Sequence, residues 1–273
     1  MTDIDPIKAF EQETRKTVAA YKKDTAWQAA SLAWLTRALE QRYVYNFSWL
    51  GRPIIQLPSD MVAFQEIVWN VRPDLIIEMG IAHGGSLILS ASMLSLLDYC
   101  DAADAGEVLD PKKPKRRVLG VDVDIRGHNR AAIEKHPMAG RIDMIEGSSI
   151  TPETIALVKK AAQGCKRVLL CLDSNHTHDH VLAELRAYAP LVTKGSYCLT
   201  FDTIVEDMPD ELYSNRPWSV GNNPKTAVRA YLAEIENQKL QGADGQPLRF
   251  ENDCAMEDKL LMTVAPEGYL KRV

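Results

Sequence analysis

The sequence is poor in the features that usually assign a chain quickly. Its five cysteines are an odd number without a CxxC pair, which argues against a disulfide framework and against a thiolate zinc site. Three of them, Cys165, Cys171 and Cys198, lie in or beside apolar runs, where a thiol packs as a small hydrophobe. No apolar run reaches the roughly 20 residues that a membrane-spanning helix needs. The N-terminus MTDIDPIKAF lacks the apolar core of a secretory signal, so the chain is expected to be cytoplasmic. Positive charge is not in excess: 32 Lys and Arg against 37 Asp and Glu leave a net charge of −5, which offers no general attraction to nucleic acid or anionic lipid. The dense basic cluster KKPKRR (112–117) follows DAADAGEVLD and is expected to be a solvated loop. Repeats and low-complexity tracts are absent. What is present is an ordinary globular composition, 46% hydrophobic and 25% charged over 273 residues, enough for one large domain with extensions.

Residues 5 to 45 read as helix, with Val18, Tyr21, Trp27, Leu32, Leu35 and Leu39 spaced by threes and fours among charges. They form an N-terminal helical extension (1–45) to a main domain (46–273). YNFSWLGRPIIQLPSDMVAF (45–64) reads as an ordered loop leading into a helix capped near Ser59. From residue 74 the pattern changes. DLIIEMG, RVLGVDVD, RIDMIEG, RVLLCLDS and GSYCLTFD are short apolar runs, most of them separated by helix-like segments. Strands alternating with helices predict an α/β fold with right-handed crossovers and a mostly parallel, doubly wound sheet. After residue 203, a helix is expected to follow Pro224, a strand pair in RFENDC and LMTVAPEGYL, and an irregular connection in NDCAMEDK.

Ligands on such sheets bind outside the carboxyl ends of the strands. Those ends read Glu78, Asp122, Glu146, Asp173 and Asp202, one acid for every strand. The first is followed by glycines, IIEMGIAHGGSL. A phosphate loop would end in GK[ST] and a dinucleotide fingerprint would read G-x-G-x-x-G; Gly80, Gly84 and Gly85 fit neither. A carboxylate at 78 would repel a pyrophosphate and favour an amine. The glycines permit close approach, and a helix beginning near Ser86 offers N–H donors to a carboxylate. A zwitterionic amino acid joined to a nucleoside meets these conditions, and S-adenosylmethionine is such a ligand. Asp122 then stands where an acid accepts ribose hydroxyls, and Glu146-Gly147-Ser148 where an adenine amine would be met.

The fourth and fifth strand ends have different chemistry. Asp173 in LDSNHTHDH and Asp202 in FDTIVED, with Glu206 and Asp207 beyond, are hard oxygen ligands from neighbouring strands, which suit Mg²⁺ better than zinc. His176, His178 and His180 alternate, but a helix starting among them would turn successive members about 200° apart. His176 is therefore read as a candidate base and the other two as surface or cap residues.

These segments together resemble the cephalosporin hydroxylase family, a name that covers metal- and S-adenosylmethionine-dependent O-methyltransferases, rhamnosyl O-methyltransferases among them. The resemblance runs through GRPIIQLPSD, IIEMGIAHGGSL, VLGVDVDIRGHNRAAI, RIDMIEGSS, LDSNHTHDHVLAEL, APLVTKGSYCLTFDTIVEDMP and NNPKTAV, most of residues 45 to 235. It implies a class I methyltransferase (Rossmann-like) fold with seven strands, the last antiparallel, and a homo-oligomer. It places Glu78, Gly80 and Ser86 near the methionine, Asp122 at the ribose, Ser148 near adenine, and Asp173 and Asp202 on the metal. Catechol-type relatives follow the second acid with Asn or Asp; here Thr203 follows, leaving Thr203, Glu206, Asp207 or water as the further ligand. Where those relatives keep a lysine base, this sequence has His176.

The expected activity is Mg²⁺-dependent methylation of a hydroxyl on a sugar or glycosylated natural product, with Asp173 and His176 catalytic. Gln56, Asp60, Asn222, Asn223 and Lys225 suit a polyhydroxylated acceptor. The alternative acceptor is a β-lactam or other antibiotic intermediate. A hydroxylase would need iron, for which no credible HxD spacing is found; a silent assembly protein would not need clustered acids.

Overall fold

The computed structural model describes residues 5–273. The segment read as helical holds helices α1 (Pro6–Tyr21) and α2 (Thr25–Glu40), each started by an aspartate, Asp5 and Asp24, whose side chain accepts a backbone N–H of the first turn. α1 buries none of its residues and packs along α2 and a helix near the C-terminus. The stretch expected to be a loop after α2 contains a short antiparallel hairpin, β1 (Phe47–Trp49) and β2 (Arg52–Ile54). Helix α3 (Pro58–Val71) starts with proline rather than with a Ser59 cap; the Ser59 hydroxyl instead donates to the carbonyl of Met262.

The main sheet follows. In chain order it contains β3 (Leu75–Met79), β4 (Arg117–Asp122), β5 (Ile142–Glu146), β6 (Val168–Leu172) and β7 (Tyr197–Thr200), then β8 (Phe250–Asn252) and β9 (Tyr269–Arg272). The spatial order is β5-β4-β3-β6-β7-β9-β8. The first five are mutually parallel and β9 runs antiparallel to both its neighbours. Only the last residues of LMTVAPEGYL join the final strand, and NDCAMEDK is helical rather than irregular. Asp253 caps that helix, Cys254–Leu260, by accepting the N–H of Met256.

Every residue of the central strands β3 and β6 is buried. Their side chains alternate between two cores: Ile76, Leu169 and Cys171 face the layer of α3, α4 (Gly85–Ala105) and α5 (Gly127–Glu134), while Leu75, Ile77, Leu170 and Leu172 face α6 (Pro152–Ala162), α7 (His178–Tyr188) and α8 (Pro224–Gln238). Period-two alternation into both layers explains why these strands read as continuous apolar runs. The same burial accounts for α4. By length and composition it could cross a bilayer, contrary to the sequence expectation, but 61% of that stretch is buried inside the protein.

The basic cluster is not wholly solvated either. Arg116 donates to Asp98 and Asp101, and Arg141 reaches the same buried Asp98. These pairs fasten the 106–116 connection onto α4. All five cysteines are free, with Cys171 and Cys198 buried and Cys165 half-buried.

Candidate active site

The chain leaves β3 for β4 and β5 on one side and returns to β6 on the other, so a crevice opens where the carboxyl ends of β3 and β6 diverge. Gly80 closes the base of that crevice. Its φ of 98° lies in the left-handed region, and a Cβ there would stand 2.1 Å from the carbonyl oxygen of Asp173. Only glycine lets the two strand ends come this close. A cavity of about 560 Å³ lies above, lined among others by Gly80, Gly85, Ser86, Asp173, His176 and Asp202. Gly85 opens α4 directly against the hairpin, because a Cβ would meet the Pro53 carbonyl at 2.2 Å. The N-cap of α4, Gly84, supplies no side-chain acceptor. The N–H groups of its first turn are thus left to an outside anion such as a carboxylate.

The acids of β3, β4 and β5 have other work. Glu78 is 4% exposed and lies beneath the cavity, where its carboxylate accepts the Ser90 and Ser86 hydroxyls. Burial pushes its pKa up to about 7, against the opposing pull of those two hydrogen bonds. Asp122 accepts the N–H groups of Ile81 at 2.8 Å, Ala82 at 3.2 Å and Asp124 at 3.1 Å. It ties the glycine turn to β4 and lies outside the cavity lining, as do Gly84, Gly147 and Ser148. Glu146 pairs with Arg130 at 2.9 Å.

The acids of β6 and β7 converge. Ligand atoms of Asp173, His176 and Asp202 all lie within 4.8 Å of one another, and His176 Nε2 is 3.2 Å from an Asp202 oxygen. Asp173 is held well above the usual carboxylate range, first by burial and then by the charge of Asp202. Two carboxylates set close together, with one imidazole beside them, form a donor set that suits a hard divalent cation. The 2-His-1-carboxylate arrangement of non-haem iron oxygenases is not matched by these three residues. His178 and His180 do not join them: His178 bonds Thr226 at the start of α7, and His180 approaches Ser149 and buried Glu184. They are half-buried and partnered rather than solvent-facing.

Glu206 and Asp207, the other acids read as candidate metal ligands, make their contacts elsewhere and are not in the Asp173, His176 and Asp202 group. Glu206 accepts the Gly221 N–H at 2.8 Å and the side-chain amide of Asn223. Asp207 pairs with Lys225, itself 3% exposed. These two contacts clasp the base of segment 208–222, which covers the cavity. Three residues expected on the acceptor side are structural as well. Asp60 is buried and accepts the Val264 N–H and Tyr269 hydroxyl, its pKa pushed up to about 6 mainly by burial. Asn223 caps α8, and Lys225 belongs to the clasp. Gln56 does line the cavity. Thr203 is fully buried, its hydroxyl donating to Pro266.

Segment 208–222 also supplies residues that sequence reasoning missed. The Trp218 ring meets His176 edge-on, with centroids 4.7 Å apart and planes at 88°. Arg216 lies over the Trp218 ring, 5.3 Å from its centroid. Elsewhere on the lining, Arg42 lies 4.5 Å from the centroid of the Tyr45 ring. No periodicity marks any of these four, because each sits in an irregular segment.

A model of the rhamnosyl O-methyltransferase/CmcI family matches residues 41–273. A rhamnosyl O-methyltransferase of Mycobacterium leprae is 30% identical over 234 residues, 84% of this chain and 85% of that protein. The rhamnosyl O-methyltransferase of Mycobacterium tuberculosis is 30% identical over 220 residues, 78% and 73% of the two chains. A solved CmcI structure in its magnesium and S-adenosylmethionine form aligns with a TM-score of 0.51 at 16% identity, over 84% of this chain and 77% of that one. At that identity the likeness supports the fold, a class I methyltransferase sheet.

Proposed function

The chain belongs to the rhamnosyl O-methyltransferase/CmcI family, and on that footing we propose that it transfers the methyl group of S-adenosylmethionine to a hydroxyl of a sugar or glycosylated natural product, with Mg²⁺ as its metal. The observation that carries this reading is the meeting of Asp173, His176 and Asp202 on the wall of the cavity that also receives the glycine turn. Asp173 and Asp202 would hold the cation, with water and acceptor oxygens completing its shell. Bound there, the metal supplies a Lewis acid that lowers the pKa of the acceptor hydroxyl, and S-adenosylmethionine supplies an electrophilic methyl.

The chain's own residues do the rest. The uncapped N–H groups opening α4 receive the methionine carboxylate, while buried Glu78 beneath them favours its amine. His176 takes the hydroxyl proton at Nε2, its ring steadied by Trp218. S-adenosylmethionine held there would supply the methyl group to the freed oxygen and leave as the neutral thioether S-adenosylhomocysteine. Segment 208–222 and residues 39–45 cover the cavity and limit water there. The main domain is read as 46–273, with the 1–45 extension lending its last residues to the acceptor wall. Trp27 and Trp34 on α2 are each more than 40% exposed, and we place a second copy of the chain against them in a homo-oligomer. Five unpaired thiols fit a reducing, cytoplasmic compartment.

Calorimetric titration of S-adenosylmethionine into EDTA-treated protein, repeated with Mg²⁺, tests the reading. Binding in the micromolar range is expected. Heat absent under both conditions would overturn the assignment of the glycine turn.

A further inference from the structure

We propose that Arg42 and Arg216 form an anion subsite for the acceptor, so that the sugar methylated here carries a phosphate or carboxylate group. The inference rests on the methyl-transfer reading of the same cavity and narrows its substrate class.

The charged groups around the cavity do not all find partners in the chain. Its acids are Glu40, Asp173 and Asp202. Glu40 is taken by Arg37 at 2.7 Å, and Asp173 and Asp202 face each other and His176, where a cation would neutralise them. The two arginines on the lining are left over. Among the described residues neither Arg42 nor Arg216 has an acidic partner within 4.0 Å, although most other arginines of the chain do, including Arg116, Arg141, Arg186 and Arg229. Each is held instead over an aromatic ring that itself lines the cavity, Arg42 over Tyr45 and Arg216 over Trp218.

Stacking orients a guanidinium without using its five N–H donors. A planar fork steadied this way suits an oxyanion, which it can grip through two parallel hydrogen bonds. The location selects the acceptor over the cofactor. Arg216 lies on Trp218, and Trp218 lies against His176, so the stack fixes one guanidinium relative to the proposed base. Arg42 comes from the turn after α2, with φ of 55°, and also lines the cavity. The methionine carboxylate already has the uncapped start of α4. A neutral glycoside would leave both arginines unanswered, whereas an anionic sugar would meet them while its hydroxyl reaches the metal acids.

The test is titration calorimetry on the full chain saturated with Mg²⁺ and S-adenosylhomocysteine, using glucose 1-phosphate, glucuronate and methyl glucoside as probes. At least one anionic probe is expected to bind about tenfold or more tighter than methyl glucoside, the gain one charge-assisted contact gives. The better of glucose 1-phosphate and glucuronate identifies the group as phosphate or carboxylate. Arg42→Gln and Arg216→Gln should each remove most of that preference and leave S-adenosylhomocysteine affinity within about threefold. Both side chains are exposed, so these variants should fold; unchanged S-adenosylhomocysteine binding would confirm that they do. Equal or absent binding of charged and neutral probes beside intact S-adenosylhomocysteine binding overturns the subsite and leaves the methyl-transfer reading standing. Loss of S-adenosylhomocysteine binding in the variants also overturns it, by assigning the arginines to the cofactor. Failure of wild-type protein to bind S-adenosylhomocysteine at all would remove the parent reading.

Discussion

The sheet delivers acids to one rim, yet its two halves treat them in opposite ways. On the β3–β4–β5 side, Glu78 is buried under serine hydroxyls, Asp122 caps two N–H groups of the glycine turn and Glu146 pairs with Arg130. On the β6–β7 side, Asp173 and Asp202 approach each other and His176, with no Lys or Arg of the described residues paired to either. The same residue type at the same place in a parallel strand thus becomes scaffold or ligand according to whether the fold supplies it a local partner. A carboxylate already satisfied gains little from a metal; a pair left repelling one another gains a great deal.

Breaking the unsatisfied half should have the largest effect. Asp173→Asn keeps the shape and removes the charge. Methyl transfer to a responsive acceptor should then fall on the order of a thousandfold or more, about 4 kcal/mol of barrier. S-adenosylhomocysteine affinity should stay within about threefold. Activity retained within tenfold would move the metal away from β6.

The satisfied half responds to pH instead. Burial lifts the Glu78 carboxyl from its ordinary value to about 7, so between roughly pH 4.5 and 7 the folded state binds a proton that the unfolded state has released. In that window stability falls as pH rises, because the unfolded chain gains the free energy of ionisation while the buried carboxyl keeps its proton. Glu78→Gln can keep the hydrogen bond from Ser90 while losing the charge. Relative to wild type it should gain on the order of 2 kcal/mol at pH 8 and nearly nothing at pH 4. Denaturant unfolding at the two pH values reads this directly. An equal effect at both would show that the Glu78 carboxyl has the same pKa in the folded and the unfolded chain.

Much of this division could be anticipated from sequence, and the missing part has a physical pattern. Alternating apolar runs and helix-like spacers gave the parallel sheet, since strand ends follow from period and crossover rules. The glycine turn was legible because Gly80 answers a local steric demand. Asp173 and Asp202 could be brought together because neighbouring parallel strands align their ends. What could not be read were partners far away in sequence: Val264 on Asp60, Arg130 on Glu146, Trp218 on His176. The β1–β2 hairpin and segment 208–222 escaped for the same reason, as they are shaped by what they cover.

The acids just past β7 sharpen the contrast with a smaller effect. Glu206 and Asp207 stand close in sequence to Asp202, yet both are answered inside the chain, by Asn223, Gly221 and Lys225. Asn223 accepts the N–H groups of Lys225 and Thr226 to cap α8 and donates to Glu206 and the Ser219 carbonyl. Asn223→Ala should therefore cost about 1–2 kcal/mol of stability, the worth of a lost cap and its buried partners. Mn²⁺ affinity, measured by calorimetry as a stand-in for Mg²⁺, should remain within about twofold, because the Gly221 N–H still holds Glu206 away from the metal acids. A tenfold change in metal affinity with an otherwise folded variant would place Glu206 among the ligands after all, and the rule that a locally answered acid is scaffold would fail at the position nearest the metal.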